Sequence, residues 1–212
     1  MIWESYYWKE ELRRHAKSLR HRSTKQKRWV QASFGRVEQH AMIGCFMVRR
    51  LIEAEIVSTL LSKKPIHLQG YPFDAERLPD IMNWHHIERH YDVKTKRSVT
   101  LPVIELCNQI MHSYIFTPVL DEETNSLQSL LFTSDRKRGA LLFEIEALRL
   151  AELFEEFADN YPVGSHSIRD EDGQWVNYHV DASEKQGDVK ATPEQLKALE
   201  RRMESLINTK ED

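Results

Sequence analysis

Asn108 and His112 are the first residues whose types and spacing could do chemistry. They stand four positions apart in the apolar stretch L-C-N-Q-I-M-H-S-Y. On a helix that interval stacks an amide and an imidazole one turn apart on one face. Imidazole is the side chain that exchanges a proton near neutral pH, and an amide and an imidazole presented together from a buried stripe could belong to a site. The pair has a packing reading as well, with Asn108 bridging backbone inside a core and His112 satisfying a buried carbonyl. Val103, Leu106, Ile110 and Met111 recur at three- and four-residue steps and predict a helix over 99–114 to carry both side chains.

Arg49 and Arg50 lie in F-M-V-R-R-L-I-E-A, on the helix expected to pack beside His112, where a surface pairing with Glu53 is open to them. A second basic region runs from residue 9 to 28, where nine Lys and Arg face only Glu10 and Glu11. Arg13, Arg14, Lys17, Arg20, Lys27 and Arg28, interleaved with Tyr6, Tyr7, Trp8 and Trp29, have the make-up of a single-stranded nucleic-acid surface: charge for phosphates, rings for bases. The same pattern also describes a solvated helix whose aromatics anchor it to a bundle. In the cluster of His85, His86 and His90 beside Glu88 and Asp92, His86 and His90 at i, i+4 could share a metal if the segment is helical, with His112, His67 or His40 as a third ligand. Ten histidines produce such pairs by chance, however, and we expect neither metal nor cofactor. No phosphate-binding glycine loop, dinucleotide fingerprint or Ser or Cys nucleophile motif is present.

The elements that must position these residues read as mainly helical. A first helix is predicted over 3–22, and a second, the longest, over 26–61 with Val30, Phe34, Val37, Ala41, Cys45, Val48, Ile52 and Ile56 down one face. A short strand at 66–69 and a short helix at 80–92 precede the 99–114 helix. Runs 127–133 and 140–145 read as a hairpin, 146–159 as a helix with Leu150, Leu153, Phe154 and Phe157 buried, and S-H-S-I-R with Q-W-V-N-Y-H-V as a second hairpin. The expected fold is therefore a mainly α helical bundle with two small β-hairpins on its C-terminal side, one domain over 1–180. A linker at 181–191 leads to an amphipathic helix at 192–209, opened by Thr192-Pro193-Glu194-Gln195.

Composition narrows the partners. With 212 residues, 41% hydrophobic and 30% charged, the chain can bury a core, and its net charge of -3 gives no global attraction to nucleic acid or anionic lipid. Cys45 and Cys107 sit in apolar helical runs as packing residues. Without a signal peptide or an apolar run long enough to span a bilayer, we expect a cytoplasmic protein without membrane contact.

Over residues 1–118, the long Arg-bearing helix followed by L-C-N-Q-I-M-H-S-Y resembles the HEPN superfamily, helical domains associated with nucleotides and RNA. Asn108 and His112 match the Asn and His of that family's motif; its Arg position is Cys107 here. The resemblance implies RNA as partner, a homodimer, and metal-independent RNA cleavage with His112 as acid or base, Asn108 positioning, and Arg49 or Arg50 in place of the missing motif arginine. A catalytically degenerate relative is the other form of that implication. The competing expectation is a non-enzymatic protein that binds a protein partner through its helical surface and C-terminal helix.

Overall fold

The computed structural model describes residues 2–25, 28–169 and 173–181. Its centre is a five-stranded antiparallel sheet. The strands are β1 (Pro65–Pro72), β2 (Arg97–Pro102), β3 (Ser113–Leu120), β4 (Leu127–Ser134) and β5 (Leu141–Glu146), in the order β2-β1-β5-β4-β3. Four helices cover one face: α1 (Ser5–Lys25), α2 (Gln31–Glu53), α5 (Val103–Met111) and α6 (Ala147–Asp159). Two short helices, α3 (Thr59–Ser62) and α4 (Ile87–His90), lie in the connections on either side of β1. A separate hairpin of β6 (Pro162–Arg169) and β7 (Trp175–Asp181) rests on α3, where the His179 N–H donates to Thr59 Oγ1 at 3.0 Å.

This α+β architecture overturns the expected helical bundle with appended hairpins. The 127–133 and 140–145 runs do pair with each other, but as β4 and β5 inside the main sheet, where β5 also bonds β1 through Gln69 opposite Glu144. The 99–114 helix divides at Pro102. Pro has no N–H and disfavours helix in the residue before it, so residues 97–102 run as an edge strand and α5 starts only at Val103. The long second helix is likewise cut short. Glu55 takes the left-handed conformation at φ 56°, the Ile56 N–H bonds Leu51 O at 3.2 Å and the Glu55 N–H bonds Ile52 O at 3.0 Å. Together these close α2 with a Schellman turn. No glycine marks that turn. The 80–92 helix shrinks to Ile87–His90. The predicted linker beyond Asp181 and the 192–209 helix lie outside the described residues.

The helical stripes pack as their spacing requires over most of their length, but Val30 precedes α2 and is exposed, and Ile56 lies beyond its end. Leu12, Ala16 and Leu19 of α1, Val37, Ala41, Cys45, Val48 and Leu51 of α2, Leu106, Cys107 and Ile110 of α5, and Phe154 and Phe157 of α6 are completely buried in one cluster with Leu130 and Phe132 of β4. Each such Leu or Phe contributes roughly 1.5–3 kcal/mol. A Cβ at Gly44 would stand 2.2 Å from the Phe154 ring, so the close approach of α2 to α6 depends on glycine there. α5 joins β2 and β3, the two edges of the sheet, and packs against α2. Among the described residues no helix is long and apolar enough to cross a membrane.

Candidate functional site

Packing of α5 on α2 brings two of the four expected catalytic residues, Arg49 and Asn108, into contact. Arg49 Nη1 donates to Asn108 Oδ1 at 3.1 Å while its Nε donates to Glu53 Oε1 at 2.6 Å. Arg50 Nη1 reaches the other Glu53 oxygen at 2.7 Å. Hydrogen bonds from Arg49 first and Arg50 second hold the Glu53 carboxyl below its ordinary range. His112 is not inside the helix. It forms the C-cap of α5, its N–H closing the last turn on Asn108 O at 3.0 Å. Its imidazole is exposed and makes no hydrogen bond among the described residues. Both helices end here, and their carbonyl termini favour cations such as the two guanidinium groups. Among the described residues Arg50 is joined to the cluster only through Glu53.

The basic N-terminal face is arranged differently from a free phosphate-binding surface. Arg13 binds Glu10 and Asp159, Arg14 binds Glu11 at 2.8 Å, and Arg20 holds Glu155 with two bonds of 3.0 and 2.6 Å. These ties to Asp159 and Glu155 fasten α1 to α6. Lys17 is exposed, Arg28 follows in the extended segment before α2, and Lys27 lies outside the described residues. Tyr6 and Tyr7 are exposed, whereas Trp8 packs on Phe46 and Trp29 on Phe34.

The histidine-rich segment does not converge. His90 is buried with Nε2 at 3.2 Å from Asn83 O, while His86 faces solvent 3.9 Å from Glu88. Among the described residues no three His, Cys, Asp or Glu side chains are grouped to hold a metal.

A second constellation, which no motif indicated, lies on the face of the sheet away from the four helices. There Glu144 of β5 accepts from Ser129 Oγ of β4 at 2.6 Å and from Tyr71 Oη of β1 at 2.5 Å, and Lys96 Nζ stands 3.7 Å from it. Burial pushes the Glu144 carboxyl upward, but the bonds from Ser129 and Tyr71 and the Lys96 charge outweigh it, so the group sits below its ordinary value and is ionised at neutral pH. Burial and the neighbouring carboxylate raise the Tyr71 phenol, which therefore stays a donor. Glu144, Ser129 and Lys96 border a cavity of about 500 Å³ that Gln69, Asp121, Gln128, Glu146 and Leu127 also line, together with Ser23 of α1 and Leu148 of α6. Its sequence signal was faint: a glutamate inside the apolar strand L-L-F-E-I-E.

No family model matches this chain, and neither curated proteins nor solved structures yield a significant match. The class that can be stated is an α+β protein, helices on one face of an antiparallel sheet, with polar clusters at the α2–α5 end and on the opposite sheet face.

Proposed function

We propose that this protein binds RNA at the α2–α5 end and cleaves it without a metal, His112 acting as proton donor and acceptor. The contact that carries the reading is Arg49 Nη1 on Asn108 Oδ1 at 3.1 Å, on a helix whose C-cap is the exposed His112. In this reading Arg49 meets the phosphate in place of the motif arginine that Cys107 replaces. His112 takes the proton of the ribose 2′-hydroxyl as that oxygen attacks phosphorus. The 5′-oxygen leaves with a proton, giving a 2′,3′-cyclic phosphate and a free 5′-hydroxyl. Support comes from these side chains alone: β1, β2 and most of β3 fall inside the span over which the helical resemblance was drawn, so fold analogy adds nothing. Homodimerisation and a cytoplasmic site of action belong to the same proposal.

His112→Ala should lower cleavage of a short RNA by about 10²-fold or more with an unchanged melting curve, and a 2′-deoxy oligonucleotide should resist the parent protein. Cleavage that survives in the variant, or a parent that neither binds nor cuts RNA, removes the proposal. One observation favours the second reading, a protein-interaction role without catalysis: Arg13, Arg14 and Arg20 are occupied by carboxylates of this chain. Binding of a short RNA that weakens steeply with salt would count against that reading.

A further inference from the structure

The cavity bordered by Glu144 and Lys96, which runs from the outer sheet face to Ser23 of α1 and Leu148 of α6, shares no residue with the α2–α5 end, and its charges are unequal in kind. Glu144 is fixed: its side chain is 17% exposed and two hydroxyl donors from neighbouring strands hold one oxygen each, leaving acceptor capacity on both. Lys96 is the outer member: its side chain is 59% exposed, at 3.7 Å it is beyond hydrogen-bonding distance of the carboxylate, and its Nζ lies 5.7 Å from the centre of the Tyr71 ring. An ion pair with one partner this exposed contributes little and opens readily. The other acids at the wall have different duties. Asp121 Oδ1 accepts from the Glu123 and Thr124 N–H groups and the Thr124 hydroxyl, building the β3–β4 turn, and Glu146 is exposed at the start of α6.

We propose that this cavity binds a small zwitterion of the α-amino-acid type, its ammonium on Glu144 and its carboxylate on Lys96. A ligand carrying only a positive charge meets Lys96, and one carrying only a negative charge meets the immobile Glu144. A zwitterion pairs each and replaces the loose internal ion pair with two direct ones. Leu127 and Leu148 offer an apolar wall for a side chain, while the Gln69 and Gln128 amides give further polar contacts.

Three probes of matched shape test this on the full chain by amide NMR titration: L-leucine, 3-methylbutylamine, which lacks the carboxylate, and 4-methylpentanoate, which lacks the ammonium. L-leucine should give saturable shifts at Gln69, Ser126 and Ser129, with the other two at least about tenfold weaker. Glu144→Gln and Lys96→Met should each weaken L-leucine at least about tenfold. Lys96 is exposed, so its variant keeps the test decisive even where Glu144→Gln fails to fold. The proposal is overturned by L-leucine giving no saturable shift, by either single-charge analogue binding as tightly, or by Lys96→Met leaving the titration unchanged.

Discussion

The α2–α5 end and the outer sheet face are built from the same inventory, a carboxylate, a cation and neutral polar groups, with the burial reversed. At the helix end the carboxylate of Glu53 is one-third exposed and shared by two arginines, one of which also holds Asn108. On the sheet the carboxylate is the inner member, clamped by Tyr71 and Ser129, and the cation is outside. An exposed pair exchanges partners at little cost, whereas a desolvated carboxylate with two hydroxyl donors defines its own surroundings. The first arrangement suits a guanidinium that can turn toward a phosphate. The second suits a fixed anionic contact point.

Substitution should separate the two. Glu144→Ala strands the Tyr71 and Ser129 hydroxyls, and we expect a loss of about 2–3 kcal/mol in denaturant unfolding; a change under about 0.5 kcal/mol would show the sheet cluster to be as loose as the helix end. The acid limb of stability follows from the same group. Because the folded Glu144 carboxyl lies below its ordinary value, its contribution is complete above about pH 4.3 and is lost as pH falls through the folded value. Glu144→Gln should flatten that limb in urea midpoints measured from pH 6 down to about 3. By contrast Arg49→Ala should leave the melt within about 0.5 kcal/mol of the parent and weaken RNA binding about tenfold. Retained RNA affinity would detach Arg49 from any phosphate. Smallest is Glu53→Gln. Freeing both arginines from their shared counter-charge should strengthen RNA binding about two- to fivefold at low salt, with the gain fading as salt rises.

Much of the helical layer was legible from local period. The stripes of α1, α2 and α6 are three- and four-residue repeats, and Cys45 and Cys107 fall where packing residues belong, both fully buried. The sheet was not. The β1 run was read as a short isolated strand because its partners, Arg97 to Pro102 and Leu141 to Glu144, are distant in sequence. Val99 and Leu101 passed for helical residues because a short apolar run satisfies either period until Pro102 is given its weight. The end of α2 was hidden for another reason. Glu55 holds a left-handed conformation usually given to glycine, and its carboxylate is bonded by Asn177 Nδ2 at 3.0 Å from the far hairpin.

Spacing by itself put Arg49 four residues before Glu53 within one helix, and Asn108 four residues before His112 at the end of another. That Arg49 would reach Asn108, that Arg13 and Arg20 would turn to α6, and that Glu144 would be met by a phenol and a hydroxyl from two other strands were decided only by tertiary structure. Helical neighbours are set by a short, fixed rise. Contacts between helices and across a sheet depend on which distant segments bury their apolar faces together, and no local pattern encodes that choice.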